Sequence, residues 1–360
     1  MKKKFALLAL CVVLAAAGWA VAAGDAGDPL SSLSYLNGVF TALVDSRVDE
    51  RLDISDQALL EAAESGALSA DPAVWTETRM KKADVLVGET GANVLLLAGS
   101  GRITYDSGAV VDTTTGTVAA SGAALQANHR YIVAEDTAAS FMITSKTAVL
   151  DHQGSASRME SGEVDYNAMA AALKELHLFK GSFTGYGQGF DLEAAPTRLQ
   201  ALIMFIRVLG EEDQALSWSG AIPFTDIAKG SDAEKYVGYA YEMGYTNGYT
   251  ATLFKPTGAV NAYQYTEFML RAMGYSSAAN TDLSDTLSRA QTAGLLTAGE
   301  AEMLRTDRFL RAELVYISWY ALETFLPDGS RTLGDMLTEK GVFTQMERES
   351  AAMLVTGWRL

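Results

Sequence analysis

Two arginines stand in the first turn of predicted helices, where a positive charge needs an explanation. Arg198 follows Thr197 in PTRLQALIMFIRVLG (residues 196–210), and Arg311 opens a helix in LRAELVYISWYALE (310–323). A cation at this end opposes the helix dipole. It becomes favourable when an anion binds there, because helix amides and a guanidinium group can share the negative charge. The pattern predicts anion binding at these two helix ends.

Helix capping is the structural alternative for the same segments. Thr197 with Gln200, and Asn261 with Gln264, have capping-box spacing. In such a box the first side chain accepts a backbone amide of the helix, and the second reaches back to the amide of the cap residue. These residues therefore have two open interpretations, a ligand site or a capped helix end.

A loop with glycine and aromatic residues precedes the second of these helix starts. In NGYTATLFKPTGAVNAYQ (residues 247–264), Gly248 and Gly258 are predicted to supply positive φ angles. Phe254 and Tyr249 are predicted to pin the loop to its helices, and the alternative for each is an aromatic face that packs against a ligand. Lys255 is a further candidate contact for an anion.

The second half of the chain contains an internal repeat. PTRLQALIMFIRVLG aligns with VNAYQYTEFMLRAMG (residues 260–274) at a spacing of 64 residues, which places Arg207 opposite Arg271. LRAELVYISWYALE supplies a third copy after a further 49 residues. Each copy follows another predicted helix, so the unit is helix, loop, helix. Three such units bury their apolar faces only against one another, which predicts a helical repeat domain.

The pattern of apolar and turn-forming residues divides the remaining chain into segments. Residues 39–64 have helical spacing of apolar positions, and residues 84–150 contain short β-branched runs between turn residues, which predicts a small antiparallel sandwich or barrel. The fold class is therefore α+β and multidomain. The predicted divisions are a signal peptide (1–23), a helix plus β-rich module (30–155), a linker (156–165), three repeats (about 166–215, 222–277 and 280–344) and a C-terminal tail (346–360).

The N-terminus predicts export. Three lysines precede the apolar run of residues 5–17, and small residues near Ala22 or Ala23 offer a cleavage site. Cleavage would remove Cys11, the only cysteine, and bring the net charge from −16 to near −19. This charge argues against binding to nucleic acid or to anionic membranes. We expect a secreted protein that has no membrane partner once the signal peptide is cleaved.

No catalytic or metal motif accompanies these features. The sequence has no Gly-x-Ser-x-Gly, His-Glu-x-x-His or phosphate-loop pattern. His129, His152 and His177 are expected to be structural, and no spacing suggests a metal site or a cofactor. Because the carboxylate pair of a glycosidase leaves no sequence motif, an enzyme site in the β-rich module remains an alternative.

The repeat resembles the S-layer homology family. The family pattern has an F-x-D opening, a GY…GTFKP-G loop and a helix that starts TRAE. Phe224 and Asp226 match the opening, and the second copy has Gly248, Tyr249, Phe254, Lys255 and Gly258 at the family spacing. The helix starts match in part, as Thr197-Arg198-Leu199-Gln200 and Leu310-Arg311-Ala312-Glu313. The resemblance covers about half of the chain, and no copy is intact.

The resemblance implies a function. Three copies would form a pseudo-three-fold spindle whose grooves bind secondary cell-wall polysaccharide, often with acidic pyruvate ketals, and would thereby anchor an exported protein to the wall without catalysis. The implied glycan contacts are Thr197, Arg198, Gln200, Tyr249, Lys255, Asn261, Gln264, Arg311 and Glu313. Because Asn261, Tyr263 and Gln264 stand in place of the charged groups of the family, the groove of the second copy is expected to be weak or to bind a neutral sugar. The alternative is a structural protein that has lost its ligand and makes surface-protein contacts, for example through the β-rich module.

Overall fold

The computed structural model describes Arg47 and residues 74–135, 137–181, 190–277, 279–356 and 359. The chain divides into two compact units, Met1–Asp71 and Pro72–Leu360. The expected signal peptide lies outside the described residues, as does the expected helix of residues 39–64 apart from Arg47. Every described residue other than Arg47 lies in the second unit.

The first part of this unit is a two-sheet β module, and every strand pairing in it is antiparallel. One sheet has the order β1-β9-β3-β7-β5-β6 and the other β10-β2-β8-β4. The prediction of an antiparallel β module within an α+β fold is confirmed. The strands are β1 (Thr76–Lys81), β2 (Val85–Gly88), β3 (Asn93–Ala98), β4 (Gly101–Thr104), β5 (Ala109–Asp112), β6 (Thr117–Ala119), β7 (Arg130–Ala134), β8 (Ala139–Ile143), β9 (Thr147–Gln153) and β10 (Ala156–Met159).

Alternating burial explains the two sheets. In β8 the side chains of Ala139, Phe141 and Ile143 are buried, whereas the residues between them are half-buried. Successive side chains of a strand point to opposite faces, so such a strand covers a core with one face only. The inner faces of the two sheets enclose one apolar core.

The structure contradicts the prediction of a linker at residues 156–165. Its first residues form β10, which pairs with β2. The buried carboxylate of Asp84 then fixes the next turn, accepting the Ser161 amide at 2.7 Å and an Arg158 Nη2 donor at 2.7 Å. Burial alone would raise the pKa of Asp84, but these hydrogen bonds outweigh it and lower the pKa. The segment therefore belongs to the β module.

The second part is helical and has its own continuous core. Its helices are α1 (Tyr166–Glu175), α2 (Arg198–Val208), α3 (Glu212–Ser217), α4 (Asp232–Glu242), α5 (Ala262–Ala272), α6 (Thr286–Thr292), α7 (Ala298–Thr306), α8 (Arg311–Leu322), α9 (Leu333–Glu339) and α10 (Gln345–Leu354). The pairs α1/α2, α4/α5 and α6/α8 are successive helix–loop–helix units, here called units 1, 2 and 3. In unit 3 the helix α7 occupies the connection.

The expected C-terminal tail is largely a helix. Residues 345–354 form α10, which packs against α1 and buries Ala351. Its first turn is capped by Thr344, whose side chain accepts the Glu347 amide at 3.2 Å. The end of the described chain thus completes the helical core.

Candidate binding clefts between the helical units

The loop of unit 2 closes the N-terminal end of α2 in unit 1. The Arg198 amide donates to the Gly258 carbonyl at 2.8 Å, and the Leu199 amide donates to the Pro256 carbonyl at 3.1 Å. The first amides of a helix have no partner within the helix. A neighbouring loop supplies partners here, so the two units interlock.

The loop of unit 1 closes the start of α8 in unit 3 in the same way. The Arg311 amide donates to the Ala194 carbonyl at 2.9 Å, and the Ala312 amide donates to the Leu192 carbonyl at 3.1 Å. The two acceptors lie 64 residues before Gly258 and Pro256, so the repeat register holds for the interlocks as well.

The two predicted anion-binding arginines are largely buried, with relative exposures of 5% for Arg198 and 9% for Arg311. Arg198 Nε donates to the Phe254 carbonyl at 2.9 Å, and Arg311 Nε donates to the Phe190 carbonyl at 3.2 Å. Each guanidinium group also stacks near a ring, that of Phe254 or Phe179. Both arginines therefore clamp the neighbouring loop, a structural role that the sequence interpretation missed.

Burial also sets the protonation energetics of these arginines, lowering the pKa of Arg198 and of Arg311. Neither guanidinium group forms an ion pair with a carboxylate of the described residues. The carboxylates of Asp226 near Arg198 and of Asp191 near Arg311 offset part of this desolvation.

The turn that carries Lys255 is held by Asp226, whose carboxylate accepts the amides of Phe254 at 2.9 Å and Lys255 at 2.7 Å. Desolvation would raise the pKa of Asp226, but these amides outweigh it and lower the pKa. Lys255 has a φ of 59°, which bulky residues adopt only when the surroundings impose it. Its ammonium group lies over the Tyr249 ring, 3.5 Å from the centroid.

One of the two glycine predictions is wrong. Gly248 has a φ of +82°, and a Cβ there would lie 2.3 Å from the Phe224 ring, so no other residue fits easily. Gly258 does not have a positive φ; the left-handed residue of this turn is Lys255. Gly258 contributes its carbonyl to the interlock instead. Phe224 and Phe254 are buried against each other, as expected of anchors for the loop.

The two predicted capping boxes differ. Thr197 accepts the Gln200 amide at 3.2 Å and Gln200 Oε1 accepts the Thr197 amide at 3.0 Å, so this box is complete. Asn261 accepts the Gln264 amide at 3.0 Å, but Gln264 Oε1 is buried without a hydrogen-bond partner. The prediction that Gln264 reaches back to the cap is wrong.

Cleft A lies between units 1 and 2 and has a volume of about 440 Å³. Arg198 and the loop around Tyr249 form one wall, and α5 forms the other. The Tyr249 ring is 53% exposed beside it. The lining residues are Arg198, Thr246, Asn247, Gly248, Tyr249, Thr250, Ala251, Gln264, Glu267, Phe268, Arg271, Thr281 and Leu283.

Cleft B lies between units 1 and 3 and has a volume of about 210 Å³. Arg311 stands at its edge as Arg198 does in cleft A. The α2 residues of its wall are the counterparts, 64 positions earlier, of α5 residues in cleft A. The lining residues are Phe179, Gly181, Pro196, Gln200, Ile203, Met204, Arg207, Arg311 and Leu314.

At the start of α8, the β module contributes a lysine to the surroundings of Glu313. Ala262 stands at the start of α5, where the other two helices have arginine, and Glu313 is only 1% exposed. Lys146, from the turn before β9, forms ion pairs with Glu313 and with Asp307, the latter at 2.7 Å. Glu313 Oε2 also accepts the Leu310 amide at 2.6 Å. Glu313, predicted as a glycan contact, is therefore a helix cap and one of the contacts that hold the β module.

Residues 223–261 match the profile of the S-layer homology domain. The chain contains an S-layer homology segment. The segment begins one residue before Phe224, ends at Asn261 and includes the turn held by Asp226. A search among curated proteins returned no match. S-layer homology domains generally mediate anchoring to the cell wall, so association with the cell surface follows from this segment.

The histidines and the carboxylates of the described residues do not add a second candidate site. His129 Nδ1 lies 2.7 Å from Asp112 Oδ2, and His177 Nε2 lies 3.5 Å from Glu347. Nowhere in the described ranges do three His, Cys, Asp or Glu side chains gather as metal ligands. Within the same ranges, no helix combines the length and hydropathy needed to cross a membrane.

Sequence reasoning missed most of the cleft lining and the Lys146 contact. The missed lining includes Ile203, Arg207, Glu267 and Arg271. The repeat alignment already placed Arg207 opposite Arg271, and the four-residue spacing of Glu267 and Arg271 is an ion-pair signal on a helix. No sequence signal links Lys146 to Glu313, because 167 residues separate them.

Proposed function

We propose that this protein attaches to the cell wall without covalent bonds, by binding glycan in clefts A and B, and that this role is not enzymatic. Cleft B carries the proposal. Among the described residues, its lining contains Arg207 and Arg311, no carboxylate and otherwise mostly apolar side chains. Such a cavity favours a small anionic group on an apolar scaffold, for example a carboxylate attached to a sugar.

The electrostatics of Arg311 support this interpretation. Burial lowers the pKa of Arg311, the nearby Asp191 carboxylate raises it in part, and the positive charge of Arg207 lowers it again. Arg207 Nε donates to Glu212 at 2.8 Å, but Glu212 does not line the cleft. An anion between the two guanidinium groups would relieve their repulsion, so the site gains from a negative ligand.

The interlocks support the pseudo-three-fold spindle that the family resemblance implies. The loop of unit 2 contacts unit 1 and the loop of unit 1 contacts unit 3, which is the cyclic order of such a spindle. In this arrangement the third groove is the one occupied by Lys146. We propose that two grooves remain for secondary cell-wall polysaccharide.

The net charge of −16 does not oppose this function. Charges separated by more than about 8 Å are largely screened at physiological ionic strength. An acidic glycan therefore responds mainly to the arginines that line the cleft. Binding should weaken as salt is raised, because the attraction is partly electrostatic.

Sedimentation with purified cell walls tests the proposal. The whole chain should pellet with walls that retain their secondary polymer and stay in the supernatant with stripped walls. Arg207→Gln should weaken sedimentation about tenfold or more, since hydrogen bonds to charged groups contribute roughly 1.5–3 kcal/mol. Arg305→Gln, which removes an exposed arginine paired with Glu302 outside both clefts, is the matched control. Equal binding by both variants would refute the role of cleft B.

The interlocks also favour one alternative, that of an interaction protein without a glycan ligand. Arg198 and Arg311 have a sufficient structural reason to be present, since each holds a loop carbonyl. Under this alternative, sedimentation survives removal of the wall polymer or does not occur at all.

A further inference from the structure

The two clefts differ in charge at one position of the repeat. Ile203 in cleft B corresponds to Glu267 in cleft A, 64 residues later. Each stands four residues before an arginine, Arg207 or Arg271. Residues with this spacing are neighbours on a helix surface. At this repeat position the arginine of cleft A therefore has an acidic neighbour, whereas Arg207 of cleft B has an apolar one and is paired through Nε with Glu212, which does not line the cleft.

Glu267 removes the arginine of cleft A from ligand binding. Its carboxylate accepts Arg271 Nε at 3.1 Å. The remaining Arg271 nitrogens donate to the carbonyls of Tyr245 at 3.2 Å and Asn280 at 2.6 Å. All three nitrogens are engaged, so this guanidinium group has little capacity for an anion.

Glu267 itself is also saturated. Besides Arg271 it accepts hydrogen bonds from Ser276 at 2.5 Å, Thr286 at 3.1 Å and Arg289 at 2.6 Å. The carboxylate is 2% exposed and forms a closed network. Neither Glu267 nor Arg271 therefore offers a free charge to the cleft.

Arg198 also lines cleft A, but its Nε is held by the Phe254 carbonyl and the Asp226 carboxylate lies near enough to stabilise its charge. The remaining wall of cleft A suits a neutral sugar. The exposed Tyr249 ring is fixed by the Lys255 ammonium group and can pack against the C–H face of a pyranose. The Gln264 carboxamide lines the same cavity, and its Oε1 has no hydrogen bond to break when the side chain turns towards a ligand. A carboxamide can donate and accept hydrogen bonds, as the hydroxyl or amide groups of a neutral sugar require.

We propose that the residue at this repeat position determines which sugar each cleft binds. With Ile203, cleft B selects an acidic sugar unit; with Glu267, cleft A selects a neutral hexose or amido sugar. One chain would then bind two chemically different units of a wall glycan. This inference rests on the proposed function and adds the substrate class of each cleft.

A transplant between the repeats tests the inference. Ile203→Glu introduces into cleft B the carboxylate that cleft A has, and Ile203→Gln is the uncharged control of the same shape. The probes are N-acetylmuramic acid and N-acetylglucosamine, which differ by one carboxylate-bearing ether. Binding of each probe to the whole chain is followed by saturation-transfer NMR.

The expected results are distinct for the two probes. Ile203→Glu should weaken binding of N-acetylmuramic acid about tenfold or more and leave N-acetylglucosamine within about twofold, while Ile203→Gln changes the acidic probe much less. Tyr249→Ala should weaken binding of N-acetylglucosamine and spare the acidic probe. Equal thermal unfolding of the two Ile203 variants excludes a folding defect as the cause.

Three outcomes would overturn the inference. One is equal loss of acidic-probe binding in the two Ile203 variants, and another is an equal effect of Tyr249→Ala on both probes. The third is an absence of saturation transfer from the wild-type chain to both probes. The wall-sedimentation assay is independent of these probes, so sedimentation can succeed when the division of specificity fails.

Discussion

Replacing Lys146 by Met should destabilise the protein, because it leaves a buried carboxylate without its cationic partner. Lys146 is the ammonium partner of Glu313, whose side chain is 1% exposed. Removing one partner of a buried ion pair costs about 3–5 kcal/mol. Lys146 is itself 21% exposed and Glu313 keeps the Leu310 amide, so we expect the lower part of this range or less, about 2–3 kcal/mol.

Urea unfolding followed by circular dichroism measures this loss. Asp307→Asn is the matched control, since the Asp307 carboxylate is 42% exposed and such a pair contributes less than about 1 kcal/mol. Combining Lys146→Met with Glu313→Gln should recover much of the stability, because the stranded charge is then gone. A Lys146→Met variant as stable as Asp307→Asn would refute the idea that this pair helps to hold the β module.

Three further predictions concern single positions. Gly248→Ala should lower the free energy of unfolding by roughly 2–5 kcal/mol, from a left-handed φ and a clash with an aromatic ring, whereas Gly258→Ala should cost less than about 1 kcal/mol in the same urea titration. Gln200→Leu should cost about 0.5–1 kcal/mol through loss of its capping hydrogen bond, whereas Gln264→Leu should be neutral or stabilising; the opposite order would contradict the capping geometry. Burial would raise the pKa of Glu212, but three side-chain donors outweigh it and lower the pKa to about 2. Glu212 therefore contributes about 3 kcal/mol to the free energy of unfolding above its ordinary pKa of 4.5, and this contribution is lost as the pH falls towards 2. Glu212→Gln should remove that part of the acid sensitivity, and an unchanged pH profile of thermal unfolding would count against it.

Local signals in the sequence predicted much of the fold. The alternating runs of residues 84–150 predicted antiparallel strands, and the helix starts at Thr197 and Asn261 are capped by the predicted side chains. The predictions that failed concern contacts between residues far apart in the sequence. Pairing of β10 with β2 depends on a partner strand about 70 residues away, which no local pattern at residues 156–159 reveals.

The same limit applies to the candidate site. Sequence reasoning identified Arg198 and Arg311 as unusual, but the alternatives considered were an anion and surface capping. The observed role depends on the carbonyls of Phe254 and Phe190, which reach these arginines only through the fold. Gln264 failed for a related reason, since capping spacing shows that a side chain can reach a backbone amide, not that it does so.

The two interlocks must form in a fixed order while the chain is being synthesised. The loop of residues 190–196 is made early, yet the amides that it binds belong to Arg311 and Ala312. More than a hundred further residues must be synthesised before its carbonyls can accept these hydrogen bonds. The loop of residues 254–258, in contrast, is synthesised after Arg198 and can bind it at once. Nascent chains stalled between units 2 and 3 should therefore have a protease-sensitive first loop beside a protected second one.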